Sequence, residues 1–450
     1  MVFEPLKVDP FGWNKVFPLR ALFVYIVRLV TSRISGFYKL PPSERLKAVA
    51  EQSGLGTEEV SQVEKGLAVD QADKMVENVI GVFQVPLGIA TNFLIDGREV
   101  LIPMATEEPS VIAAASNGAR MARSAGGFST SSTGPVMRAQ IQITGLADPF
   151  AARQAVFLHK DELTQMANEK DPMLVKYGGG VEDIEVYVIN SRVGPMVVVH
   201  LIVDCRDAMG ANAVNTMAEA LAPRLEEITG GKVYLRIISN LADKRLARAK
   251  AVFKAEDIGG HEVVDGIIQA AALAEVDPYR AATHNKGIMN GITAVVLATG
   301  NDTRAVEAGA HSFASLSGRY MSLTRYEKNR DGDLVGTIEL PVAVGLVGGA
   351  TRVHPVAKTA VKILGVKSAD DLSRIIAAVG LCQNFAALRA LASEGIQRGH
   401  MSLHAKNVAA QAGAKCDMID IIAARMAAER RISVDRAAEL MEELDERSNR

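Results

Sequence analysis

From Pro41 onward, apolar residues recur at helical spacing. "PPSERLKAVAEQSG" opens on proline and closes on glycine, the two-ended signature of a helix, and "TEEVSQVEKGL" and "DQADKMVENVIGVF" continue in the same style. The period then shortens. "GIATNFLIDGREVLIPMA" carries β-type residues on both sides of Asp96-Gly97, a pair that favours the tight turn of a hairpin. After a further helix, the glycine-rich run "SAGGFSTSSTGP" predicts a loop or domain junction. Between Pro135 and Ser239 the order is strand "VMRAQIQITG", a helix from Pro149 to Ala167, strand "IEVYVI", strand "MVVVHLIVDC", helix "NAVNTMAEALAPRLEEI" and strand "KVYLRII". This β-α-β-β-α-β order predicts a ferredoxin-like domain, an antiparallel sheet with helices on one face. Alanine-rich helical patterns then resume, broken by a hairpin in "NRDGDLVGTIELPVAVGLV", and the chain closes with charged helices after Gly395. There is no internal repeat and no low-complexity tract. The fold class is α+β.

Length and charge narrow the picture. At 450 residues and 48.0 kDa the chain exceeds one ordinary core, so two or three domains are expected. Lysine and arginine number 50 against 52 acidic residues, a net charge of −2, so no basic field gathers nucleic acid. Small molecules and other copies of the chain are the expected partners. Cys205, Cys382 and Cys416 are odd in number and widely spaced, which argues against a disulfide scaffold or a thiolate metal site and fits a reducing cytoplasm. Residues 1–31 are apolar, but Arg20 and Arg28 leave seven uninterrupted apolar residues between them, short of the ~18 needed to span a bilayer. An amphipathic helix docked on the protein is the expectation there, ahead of membrane contact or disorder.

Four segments carry candidate chemistry. In "DCRDAMGANAVN" an apolar strand runs through a turn at Gly210 into a helix, leaving backbone N–H groups free for a phosphate; a purely structural turn is the alternative. The G-x-G-x-x-G pattern is absent, which disfavours a Rossmann fold. In "YRAATHNKGIMNGITAVVLATGND" Lys286 and Asn290 stand four apart at the entrance of an apolar helix. Asp302 can partner the lysine or cap the next helix, and Lys286 can equally be a snorkelling surface residue. In "IPMATEEPSVIAAASNGARMA" Pro109 marks a first helical turn, with Glu107 and Glu108 at the entrance. Glutamate caps poorly, so one of the two is free for a second purpose. "RGHMSLHAKN" sets His400 and His404 at zinc-ligand spacing without H-E-x-x-H or a third ligand nearby, and packing leads over metal binding.

Taken together, "ENVIGVFQVPLGIATNF", "EEPSVIAAAS", "DAMGAN", "HNKGIMNGI", "LATGND" and "RGHMSLHAKN" resemble the soluble, class II 3-hydroxy-3-methylglutaryl-coenzyme A (HMG-CoA) reductases, in that family's order, from about Ser32 to Arg430. The resemblance implies catalytic roles for Glu108, Lys286, Asp302 and His400, and acyl-substrate contacts at Ser110, Arg280, Asn290 and Gln383. It implies that the turn Asp207, Ala208, Met209, Gly210, Ala211 and Asn212 meets NADH or NADPH. Asp171 stands where a family acid binds the adenosine ribose, which favours NADH because a carboxylate repels a 2′-phosphate. The implied reaction passes from thioester through thiohemiacetal and aldehyde to mevalonate and CoA. Lys286 would stabilise the oxyanion, Glu108, its proton affinity raised by burial beside Asp302, would protonate at the aldehyde stage, and His400 would protonate the CoA thiolate.

On this resemblance, residues 32–134 and 240–394 form a discontinuous acyl-CoA domain. Residues 135–239 form the inserted nicotinamide domain and 395–450 a mobile helical flap. A homodimer, alone or within a larger assembly, with its active site at the subunit boundary and no metal, is implied. A metal hydrolase using His400 and His404 and an idle CoA-binding protein are the rival readings.

Overall fold

The computed structural model describes residues 31–393, 405–415, 417–429 and 431–448. The expectations for the N-terminal extension, His400, His404 and Cys416 lie outside these residues. Helices α1 (Pro42–Ser53) and α2 (Thr57–Lys65) form as their patterns predict, α1 ending on Gly54 in the left-handed region. "DQADKMVENVIGVF" does not continue them. Only Val69–Ala72 is helical, and the stretch to Pro86 is irregular, leaving Ile80 and Phe83 103% and 93% exposed. The helical period was present, but helices this short persist mainly by packing an apolar face, and Ile80 and Phe83 of this face meet no core among the described residues.

Strands β1 (Leu87–Ile95) and β2 (Arg98–Ala105) pair across Asp96 and Gly97, whose φ values of 49° and 75° give the turn that twists with the strands. Helix α3 (Val111–Ala122) follows. The expected loop "SAGGFSTSSTGP" holds a strand instead, β3 (Phe128–Ser132), parallel to β1. Buried Phe128 anchors it, and its alternate hydroxyl residues face outward, so a polar composition is compatible with pairing.

The predicted β-α-β-β-α-β order appears as β4 (Val136–Thr144), α4 (Pro149–Leu158) with α5 (Lys160–Asn168), the short α6 (Pro172–Lys176), β5 (Gly180–Ser191), β6 (Gly194–Asp204), α7 (Ala211–Thr229) and β7 (Lys232–Ile238). The expected single helix over 149–167 breaks at His159. The sheet order is β5-β6-β4-β7 with every pair antiparallel, which is the ferredoxin-like arrangement. Inward residues of β4 and β6, among them Met137, Ile141, Val199 and Leu201, pack against Val214, Leu221 and Leu225 of α7.

β8 (Leu246–Phe253) returns the chain to the first sheet. Helices α8 (His261–Val276), α9 (Pro278–Ala298) and α10 (Thr303–Phe313), strands β9 (Thr324–Lys328) and β10 (Leu334–Pro341), and helices α11 (Pro355–Leu364) and α12 (Ala369–Ala392) follow. The six strands are ordered β2-β1-β3-β8-β10-β9, so this sheet is assembled from chain on both sides of the four-stranded one. Its core runs through α12: Phe385 stacks on Phe253 at 3.6 Å between centroids, and Phe128 meets Phe253 edge-on. Among the described residues α12 alone is long and apolar enough to cross a bilayer, and 67% of its most apolar window is buried inside the protein. Helices α13 (Asp417–Glu429) and α14 (Val434–Ser448) share a small apolar cluster with Ala405, Val408 and Ala409.

Candidate active site

Glu108 stands in a bend between β2 and α3, its N–H donating to Thr106 Oγ1 at 3.2 Å. The helix begins later than Pro109 suggested: Ser110 adopts φ 73°, and Val111 is the first helical residue. That left-handed residue turns the two glutamates out of the helix. Ser110 keeps a buried Oγ with no hydrogen-bond partner among the described residues.

Lys286 and Asn290 share one face of α9, and that face meets Glu108. Lys286 Nζ lies 2.7 Å from Glu108 Oε2, and Asn290 Nδ2 donates to Glu108 Oε1 at 3.0 Å. Both carboxylate oxygens are therefore engaged from a helix about 180 residues away in sequence. Lys286 is 60% exposed and Glu108 37%, so the pair opens to solvent on one side. The deep burial of Glu108 beside Asp302 anticipated above is not found.

Asp302 departs from the expected partnership. Its Oδ1 accepts the N–H groups of Arg304 and Ala305, capping α10, and it pairs with Arg304 at 3.3 Å. The reason is geometric: α9 is continuous from Lys286 to Ala298, about 18 Å of helix, far beyond a lysine side chain's reach. Within one chain the lysine's carboxylate is Glu108.

The register of α9 is set by a buried polar cluster that the sequence reading did not single out. His284 Nε2 lies 2.6 Å from Thr324 Oγ1 and 2.8 Å from Ser322 Oγ. Those hydroxyls have acceptors of their own in Asn384 Oδ1 and the Thr324 carbonyl, an arrangement that suits a histidine with its proton on Nε2. Burial and then the nearby Arg280 charge pull its pKa down to about 3, keeping the ring neutral. Asn285 donates to the Met321 carbonyl and accepts from Leu323 N–H. Arg280 itself is half-buried, and burial lowers its pKa.

Gln383 approaches from α12. A Cβ on Gly291 would lie 2.8 Å from Gln383 Cβ, so only glycine lets α9 and α12 come this close. Gln383 Oε1, like Ser110 Oγ, is buried without a partner. Among the described residues, two expected acyl contacts thus carry buried polar atoms without a partner.

The turn Asp207–Asn212 is a junction as well as a helix entrance. Gly210 has φ 103° and caps α7 without a side chain, and a Cβ there would fall 2.5 Å from Cys205 Sγ. Burial pushes the Cys205 thiol up to about 12, which makes it a packing residue. The Asp207 carbonyl accepts from Leu346 and Val347, and Asp207 Oδ1 accepts from Ala369 N–H at the start of α12. Ala208, Met209, Ala211 and Asn212 are partly or fully exposed around this frame. Asp171 caps α6, Oδ1 accepting from Leu174 N–H at 2.9 Å. His400 lies outside the described residues.

The hydroxymethylglutaryl-coenzyme A reductase family profile matches residues 41–405. A 3-hydroxy-3-methylglutaryl-coenzyme A reductase of Archaeoglobus fulgidus is 62% identical over 420 residues, covering 93% of this chain and 96% of the relative. A probable enzyme of that name from Borreliella burgdorferi is 36% identical over 74% of this chain and 77% of its own. A Streptococcus pneumoniae structure described as the class II reductase bound to NADPH superposes with TM-score 0.78 at 41% identity, over 80% of this chain and 99% of that one. A second structure of that organism's reductase gives TM-score 0.79 at 40% identity, over 91% and 99%. On these matches this chain belongs to the hydroxymethylglutaryl-coenzyme A reductase family, on its class II branch.

Proposed function

We propose that this chain reduces 3-hydroxy-3-methylglutaryl-CoA to mevalonate, reversibly: the thioester, two reduced nicotinamides and two protons give the primary alcohol, CoA thiol and two oxidised nicotinamides. The observation that carries the reading is the Glu108–Lys286–Asn290 contact, which joins a proton carrier to a cation in one open site. Reduced nicotinamide, NADH or NADPH, supplies the two hydrides. Each hydride addition builds negative charge on the acyl oxygen, and Lys286 meets that charge with its ammonium. Glu108 passes a proton to the aldehyde oxygen at the second reduction. Its contact with Asn290 keeps the carboxyl oriented while the lysine is drawn to substrate. His400 protonates the departing thiolate. The reading assigns the cationic role at the acyl oxygen to Lys286 and calls on no metal.

Ser110 Oγ and Gln383 Oε1, orphaned and buried, are suited to the polar acyl groups, and half-buried Arg280 to the terminal carboxylate. The glycine-capped start of α7, whose first-turn N–H groups have no acceptor within the helix, suits a nucleotide phosphate. Asp171, beside that turn, favours NADH over NADPH. Residues 135–239 act as the cofactor domain, the two flanking segments as the acyl-CoA domain, and the C-terminal helices as the flap.

The working unit is a homodimer in the cytoplasm. Asp302 cannot reach Lys286 of its own chain, so its place in the reaction requires a second copy, and exposed Ile80 and Phe83 offer that copy an apolar surface. Purified protein mixed with 3-hydroxy-3-methylglutaryl-CoA and either nicotinamide should lose reduced-nicotinamide absorbance, two equivalents per mevalonate formed. Absence of substrate-dependent oxidation with both cofactors would overturn the reading and favour an idle CoA-binding protein.

A further inference from the structure

Arg245 stands where the chain leaves the four-stranded sheet for β8, and its side chain is 3% exposed. Nη1 donates to the carbonyls of Ala208 at 3.1 Å and Met209 at 3.2 Å, and Nη2 donates to the Val344 carbonyl at 2.5 Å. All three acceptors are backbone. Among the described residues no carboxylate forms an ion pair with it; Asp204, Asp207 and Asp370 act only at longer range. A guanidinium buried on carbonyls alone is a costly way to fill a junction, since an apolar side chain of that volume would fill it without desolvating a charge. What the cation does, and an apolar isostere cannot, is draw two successive carbonyls of the 207–212 turn inward and so fix its peptide planes.

The other end of the same clamp leads into the segment 240–394. Val344 precedes Gly345, where a Cβ would lie 2.5 Å from Met209 N, so the turn seats directly on glycine backbone. Gly345 N–H donates to Asn301 Oδ1 at 2.8 Å, and Asn301 adjoins Asp302. A continuous set of contacts therefore runs from the turn through Arg245 and the 344–345 backbone to the corner between α9 and α10.

We propose that Arg245 is a positioning residue: it sets the nicotinamide-binding turn against the acyl-CoA half, so that hydride donor and acyl carbon keep one spacing through both reductions. This rests on the proposed cofactor role of the turn. Arg245 touches neither substrate nor cofactor and acts through the carbonyls of Ala208 and Met209.

The test compares wild type with Arg245→Met, Arg245→Lys and Gly345→Ala, the last forcing the turn off its seat from the opposite side. Binding of NADH and NADPH is followed by fluorescence, beside kcat, the KM for acyl-CoA and the melting temperature. Arg245→Met and Gly345→Ala should each weaken nicotinamide binding and lower kcat by about 10- to 100-fold, with the acyl-CoA KM held within about twofold and Arg245→Lys intermediate. A folded Arg245→Met protein with wild-type nicotinamide affinity and kcat overturns the inference. Should that variant not fold, wild-type cofactor affinity in Gly345→Ala overturns it equally. Wild type that binds no nicotinamide at all would instead sink the function proposed above.

Discussion

At the scale of single residues the chemistry turns on which side chains meet. Replacing Lys286 by alanine removes the proposed oxyanion partner and should lower kcat by about 10² to 10³, some 2.7–4 kcal/mol of barrier, in steady-state assays of nicotinamide oxidation. A variant within about fivefold of wild type would remove Lys286 from the mechanism. Asp171→Asn separates two roles of one carboxyl: asparagine still caps Leu174 N–H, but the charge is gone. The ratio of kcat/KM for NADPH to that for NADH should rise by about tenfold with the melting temperature unchanged. Residue types at 108, 286 and 290 were readable as candidates, since a glutamate that caps poorly and a lysine on an apolar helix both ask for explanation. Their contact was not readable, because a pairing about 180 residues apart leaves no local trace. Asp302 shows the converse: its capping use is local, and the sequence offered that alternative beside the one that the helix length rules out within a single chain.

Among elements, the decisive contact is α9 on α12. Gly291 lies in a helix at ordinary φ, so no turn explains it; its missing Cβ is what lets Gln383 pack directly on α9. Gly291→Ala should push the helices apart, raise the acyl-CoA KM by about 10-fold and cost about 1–3 kcal/mol in chemical denaturation, as overpacking does. An unchanged KM would show that Gln383 does not contact the acyl group. The elements themselves were largely legible: the Asp96-Gly97 hairpin and the β-α-β-β-α-β order follow from turn chemistry and period. Two were misread for one reason. β3 looked like a loop because its outward positions are hydroxyls, and 73–86 looked helical because its apolar residues are periodic. In both, burial by distant chain, or its absence, outweighed local pattern.

For the whole molecule, stability in acid follows from groups whose pKa values folding depresses. Burial alone would raise Glu99, but hydrogen bonds from Arg123 and Ser32 outweigh it and bring it to about 2; Glu185 reaches about 2 the same way through Arg138 and Lys244. His284 falls to about 3 by burial. Each contributes fully above its ordinary value and loses that contribution as pH falls toward the folded one. The melting temperature should therefore decline from pH 6.5, as the unfolded chain takes up the proton that folded His284 excludes, and more steeply below 4.5, as the unfolded chain protonates glutamates that stay charged in the fold. Glu99→Gln should lower it at pH 7 and flatten the decline below 4.5; a slope identical to wild type would contradict the assignment. By itself the sequence determined most of the secondary-structure order, the inserted antiparallel unit and the family, because these are written in local period, turn residues and contiguous motifs. Only the tertiary structure decided that Glu108 is the lysine's partner, that Asp302 is turned elsewhere and that buried Arg245 ties the glycine turn to the opposite half. Those depend on distances between remote segments, which are fixed by helix length and core packing and have no signature along the chain.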